Sequence, residues 1–222
     1  MTDKVLTERD GGVLVSIILN PPINAGSIEV RRGILAAISQ LAGDSTLTAG
    51  VLIGGGNTFI AGSDLREFGR PLEEPQLPAV IAAIKACGKP VVAALHGAAL
   101  GGGFELALGC DARVASAGTL VGLPEVTLGM IPGAGGTQRL PRIVGAAKAI
   151  PATRDAIKTG RGRPQVLAAI DIVMAARTLP IDAALQRERA LFRRSRNASH
   201  PTPPPQIRTS GTTAFWSCRS NA

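Results

Sequence analysis

Apolar residues along this chain fall into two kinds of run: short continuous blocks, and longer stretches with helical spacing. "GVLVSIILN" (12–20), "LTAGVLIGG" (47–55) and "PVVAALHG" (90–97) are blocks of strand length rich in valine and isoleucine. Between them, "SIEVRRGILAAISQLAG" (27–43) and "PQLPAVIAAIKACG" (75–88) repeat apolar residues every three or four positions, which predicts helices. Ser27 is placed to cap the first helix and Gly43 to end it. The three glycines at 101–103 lead into a further helix, "GGFELALGC" (102–110). "ARVASAG" (112–118) and "TLVGLPEV" (119–126) predict short strands, and "LGMIPGAGG" (128–136) a glycine loop. Strands alternating with helices, and strands that are nearly continuous in apolar residues, point to an α/β domain with a buried sheet.

Beyond about residue 147 the pattern changes. "RPQVLAAIDIVMAAR" and "PIDAALQRERALFRR" carry apolar positions at 166, 170, 173 and 174, and at 181, 184, 185, 191 and 192. Each has a proline near its start, so residues 164–194 read as a helical hairpin. From residue 195 the composition becomes low-complexity, and disorder is expected over 195–222. The expected organisation is a core over 1–147, a helical segment over 148–194 and a basic tail.

Charge changes this picture little. The net charge of +8 is uneven: residues 1–141 hold 10 Lys+Arg against 12 Asp+Glu, and residues 142–222 hold 14 against 4. The basicity belongs to the end of the chain, without interleaved aromatics, so nucleic acid is not an expected partner. No apolar run is long enough to span a bilayer, and the N-terminus lacks the basic-then-apolar order of a signal peptide. Cys87, Cys110 and Cys218 form neither a disulfide framework nor a zinc spacing. A reducing, cytoplasmic setting with no bound metal is the expectation.

Two acids stand out. Glu105 is the one formally charged residue between Lys89 and Asp111, and Glu125 the one between Arg113 and Arg139. A single isolated glutamate is as often a solvent-facing side chain. Two of them, each beside a glycine loop in an apolar stretch, are the sort of pair used for general acid and base chemistry. The glycines form no dinucleotide fingerprint, because the template started at Gly133 meets Gln138, and no loop ends in the Lys-Ser/Thr of a P-loop. "LGGGFELAL" does place a tight turn at a helix start, where amide N–H groups can meet an anion or a developing oxyanion.

The order A-G-S-D at 61–64, H-G-x-A-L-G-G-G-x-E at 96–105 and P-E-x-x-L-G-x-I-P-G-A-G-G-T-Q-R-L at 124–140 strongly resembles the enoyl-CoA hydratase/isomerase (crotonase) family. The likeness covers roughly residues 12–147 and includes "NPPINAGS" (20–27), which resembles the early loop of bifunctional members. The resemblance implies a ββα spiral core of two nearly perpendicular sheets with helices around them. It implies that the amides of Ser63 and Gly102 form an oxyanion hole for the acyl-CoA thioester oxygen. Each such donor is worth about 3–4 kcal/mol in the transition state. Glu105 and Glu125 match the family's two catalytic acids. Gly133 matches a position whose N–H holds water or substrate, and Ala61 and Leu65 fall where the CoA end is gripped.

The implied reaction adds water across the C2–C3 double bond of a 2-enoyl-CoA, as in fatty acid beta-oxidation, with no cofactor beyond the coenzyme A of the substrate. Two other outcomes stay open: an enoyl-CoA isomerase, and an acyl-CoA-binding or interaction form with little turnover. Acyl-CoA thioester is the expected partner, and a homo-oligomer an expected assembly. The sequence departs from the family after "RLPRIVGAAKAI", where "PATRDAIKTGRGRP" replaces the helix and Gly-Leu-Val-Asp segment with which most members continue. The later helices resemble the end of the hydratase half of bifunctional enzymes that also carry a dehydrogenase. The expected form is therefore a truncated hydratase half with an atypical tail.

Overall fold

The computed structural model describes residues 4–145, 164–176 and 178–198. Within it, residues 4–122 form one unit and the described residues from Leu123 onward a second. The predicted segment at 148–163 and the predicted tail beyond 198 lie outside the described residues.

The first unit is built on a five-stranded sheet. Strands β1 (Val5–Asp10) and β2 (Val13–Ile18) form an antiparallel hairpin around Gly11 and Gly12. Strand β3 (Ala49–Gly54) then pairs parallel to β2, β4 (Val91–Leu95) to β3, and β6 (Ala112–Ala115) to β4, giving the order β1-β2-β3-β4-β6. Parallel neighbours require crossovers, and helices α1 (Ile28–Gly43), α2 (Leu77–Ala86) and α3 (Gly102–Gly109) lie in them. A second sheet pairs β5 (Ala98–Leu100) with β7 (Leu120–Gly122) in parallel.

Alternation fixes which face is inside. Along β2 and β3 every second residue is buried and its neighbours are half-buried, so the sheet is closed on one face rather than on both. Leu14, Ile18 and Leu52 of that face are fully buried, as are Ile34 and Leu41 of α1. Each such side chain contributes about 1.5–3 kcal/mol through removal from water. Helix α1 begins where expected: Ser27 is its N-cap and its hydroxyl accepts from the Val30 amide. Lys89 Nζ donates to the Leu41 and Asp44 carbonyls at 2.6 and 2.7 Å, satisfying the other end.

The second unit opens with a 3-10 turn (Glu125–Leu128) and holds α4 (Gly136–Val144), α5 (Pro164–Ala175) and α6 (Ile181–Ala198). The last two are the hairpin predicted for 164–194. Helix α6 runs to Ala198, so residues 195–198 are helical rather than disordered. Ser195 is bonded into that final turn through its hydroxyl, which donates to the Phe192 carbonyl. Helix α4 was not expected in the glycine loop.

The Gly-Thr-Gln-Arg stretch at 136–139 and Arg142 after it tie these helices together. Gln138, fully buried, donates from Nε2 to the Ile172 carbonyl of α5 at 2.8 Å. Arg142 Nη2 reaches the Leu179 carbonyl at 2.8 Å, and Thr137 meets Glu188 of α6.

Candidate active site

The segment 60–63 is held from two sides. On one side Ile60 bridges Ala99, and the Leu100 amide donates to the Ile60 carbonyl at 2.9 Å. On the other, the early loop pairs with it: the Ala61 amide donates to Ile23 O at 3.0 Å and the Gly26 amide to Gly62 O at 2.9 Å. Asn24 locks that loop. Its Nδ2 donates to the Gly55 and Thr58 carbonyls, and its Oδ1 accepts from the Asn20 amide. These bonds use the amides and carbonyls around Ser63 but leave its own N–H undonated among the described residues.

The glycine triplet supplies a second such amide. Gly101 takes φ +52°, a conformation that side-chain-bearing residues rarely adopt, and turns β5 into α3. Gly103 lets α3 lie directly on the Ile60 backbone, since a Cβ there would stand 2.6 Å from Ile60 Cβ and collide with the Ile60 carbonyl oxygen. Gly102 lies between them as the first helical residue, where an N–H has no intrahelical partner. Among the described residues its amide donates to no other group. The structure brings Gly102 and Ser63 together: a Cβ built on Gly102 would lie 3.1 Å from Ser63 Oγ.

Glu105 sits in the first turn of the same helix, and its amide donates to the Gly101 carbonyl at 2.9 Å. All eight residues of α3 are buried, and Glu105 is only 4% exposed. A carboxylate therefore stands inside an apolar layer, within one helical turn of the Gly102 amide. The helix start adds positive potential at that point.

The remaining candidates of this unit flank the segment. Ala61 is half-buried, whereas Leu65 is 53% exposed at the head of a 3-10 turn (Leu65–Glu67). Asp64, buried, caps that turn by accepting from the Arg66 amide and guanidinium. The Arg66 guanidinium holds the Asp64 carboxyl below the usual aspartate range. Glu67 accepts from the Ile28 amide at 2.7 Å and from Arg31 at 2.9 Å, and Arg31 also donates to Gly26 O and Pro75 O. Asn24, Arg31 and Glu67 were not singled out from the sequence, because their clamping partners lie 31 or more residues away.

Glu125 and Gly133 belong to the second unit. Glu125 begins the 3-10 turn that packs on α5, and its Oε2 atom is closed off from solvent. Gly133 lies against the Phe192 ring, where a Cβ would come within 2.8 Å of Cδ1. A packing reason for glycine thus stands beside its expected part in holding water or substrate.

Cys110 ends α3, and burial pushes its thiol up to about 12, which leaves it unreactive. Among the described residues no group of three or more His, Cys, Asp and Glu could hold a metal ion, and no helix is long and apolar enough to cross a membrane.

A model of the family described as enoyl-CoA hydratase/isomerase matches residues 8–198. The chain belongs to that family. The peroxisomal bifunctional enzyme of Danio rerio is 50% identical over 149 residues, covering 67% of this chain and 20% of that relative. The probable enoyl-CoA hydratase of Bacillus subtilis is 43% identical over 148 residues, covering 64% of this chain and 57% of the relative. The chain thus spans about one fifth of the length of the bifunctional relative. Among solved structures, the enoyl-CoA hydratase/isomerase of Pseudoalteromonas atlantica T6c matches with a TM-score of 0.68 at 26% identity, covering 88% of this chain and 92% of that one. The expected crotonase-like α/β spiral, and the kinship with bifunctional enzymes, are both borne out.

Proposed function

We propose that the chain is an enoyl-CoA hydratase-like enzyme that adds water across the C2–C3 double bond of 2-enoyl-CoA thioesters. The observation that carries this reading is the pairing of the Ser63 and Gly102 amides, both undonated among the described residues, with buried Glu105 one turn along the same helix. The two amides would hold the thioester oxygen, where negative charge grows as C3 is attacked. Preorganised donors at that oxygen stabilise the enolate more than the starting thioester, which is what accelerates the step.

In this reading Glu105 and Glu125 act on one enoyl chain. One carboxylate takes a proton from water as the oxygen bonds to C3, and the other delivers a proton to C2, so that the elements of one water are added. Two carboxylates favour hydration over isomerisation, since moving a proton between C2 and C4 can be done by one. Leu65 and Ala61 contact the CoA end, and exposure of Leu65 supports that part. Gly133 contributes its N–H to water or substrate. Coenzyme A arrives with the substrate, and no separate cofactor is needed. A role in fatty acid beta-oxidation and a cytoplasmic setting complete the proposal.

The test is hydration of crotonyl-CoA by this chain, with Glu105→Gln and Glu125→Gln beside it. Each variant is expected to lose about 10²-fold or more in kcat, with acyl-CoA binding changed far less. A chain that binds crotonyl-CoA without hydrating it would be an acyl-CoA-binding form. Shift of a double bond without hydration would make it an isomerase.

A further inference from the structure

The second unit contains a fully buried acid that the hydration chemistry does not use. Glu188 of α6 is 1% exposed. Its Oε1 accepts from the Gly135 amide, and its Oε2 accepts from the Thr137 amide at 3.0 Å and from the Thr137 hydroxyl. Gly135 and Thr137 stand at the start of α4, where amides have no intrahelical partners. Glu188 therefore caps α4 from another helix. The same helix holds the other end of the loop. Arg189 Nη1 donates to the Gly133 carbonyl at 3.3 Å, and the Phe192 ring packs on Gly133, with the Arg189 guanidinium 5.0 Å from the ring centroid.

We propose that Glu188 is a positioning residue that fixes the 133–137 loop and so sets the direction of the Gly133 amide. The carboxylate is suited to this because both of its oxygens face donors. A glutamine of the same size fails in either orientation of its amide group: one arm still accepts, and the other turns an NH2 toward Gly135 or Thr137. One of the two loop amides, Gly135 or Thr137, then loses its acceptor. The kinetic consequence rests on the hydratase reading, but the structural claim does not.

Glu188→Gln in the full chain tests it by hydrogen exchange and kinetics together. Amides of 133–138 are expected to exchange about tenfold faster or more, with β2, β3 and β4 at the original rates. For crotonyl-CoA hydration kcat should fall about tenfold while KM stays within about threefold, the signature of a misaligned group rather than lost binding. Original exchange rates over 133–138 overturn the proposal. So does acceleration spread evenly over α4, α5 and α6, which would make Glu188 a docking residue only. If the original chain shows no hydration, the hydratase reading fails while exchange still decides the role of Glu188. Should Glu188→Gln not fold, Thr137→Val and Thr137→Ser replace it: the valine variant should loosen 133–138 and the serine variant should not, and equal behaviour of the two overturns the assignment.

Discussion

Three consecutive glycines at 101–103 serve three different physical needs, and substitution separates them. Gly101 supplies a backbone conformation, Gly103 a close approach of α3 to Ile60, and Gly102 an amide beside Ser63. Gly103→Ala drives a methyl into the Ile60 carbonyl, a rigid backbone group, and should cost roughly 1–3 kcal/mol or more. Gly102→Ala meets only Leu77 Cδ2 and Ser63 Oγ, each at 3.1 Å and each the end of a side chain. That variant should stay folded, with stability changed by about 1 kcal/mol or less, yet lose activity about tenfold or more through crowding of the thioester oxygen. Chemical denaturation with crotonyl-CoA hydration on the same samples reads both effects. A fully active Gly102→Ala would remove this amide from the mechanism. At this scale, the isolation of Glu105 in an apolar run did announce a buried acid. Glu188 left a signal that the sequence reading did not use: with Ala184, Leu185 and Phe192 it shares one helical face, an acid on an apolar stripe hidden among arginines.

The loop that carries Ser63 is held by elements remote in sequence, and its acid sensitivity follows. Asp64 is bonded by Arg66, and its folded-state pKa lies below the ordinary 3.8. A depressed value means that the contribution to stability is fully present above the unfolded value and is lost as pH falls through the folded one. The 3-10 turn after Ser63 should therefore loosen below about pH 4. The effect will be modest, because Arg66 is largely exposed and solvent screens it. Thermal midpoints from pH 5 down to pH 3 should fall more steeply for the original chain than for Asp64→Asn, and parallel profiles would show that the bond contributes nothing. Element prediction succeeded where local signals agree, as in α1 with its Ser27 cap and in β2, β3 and β4. It missed β1, whose exposed Thr-Glu-Arg-Asp is the polar patterning of a sheet edge. It missed β5 because three residues beside a glycine cluster read as turn. Helix α4 was hidden by glycines at its start and Pro141 inside it, which lower helix propensity. What stabilises α4 instead is the Glu188 carboxylate, a tertiary contact 51 residues away from Thr137.

At the scale of the whole molecule, the sheet of the first unit and the chemistry of α3 share one core, and Cys110 reports on it. The residue closes α3 immediately before Asp111, whose carboxylate accepts from the Val91 amide of β4 at 2.9 Å and from Lys85 at 2.8 Å. Burial outside water penalises the thiolate, so the folded pKa rises from 9.0 to about 12. Between these values the unfolded chain releases a proton that the folded chain retains, and stability must decline as pH rises. The decline is absent below pH 9, begins there, and is complete near pH 12. The chain contains no tyrosine, so lysines and thiols are the side chains that titrate over this range. Urea midpoints measured from pH 8 to pH 11 should fall for the original chain and fall less for Cys110→Ala. The alanine variant will start lower because of the cavity it leaves, so the comparison is of slopes and not of absolute values. Thiol labelling adds a kinetic reading. Cys110 should be modified only at the rate of global unfolding of the first unit, because local opening of α3 must also disrupt its packing on α2 and β5. Labelling faster than unfolding, with Cys87 and Cys218 replaced by alanine, would mean that α3 opens on its own and that the Gly102 amide is not held by a rigid core.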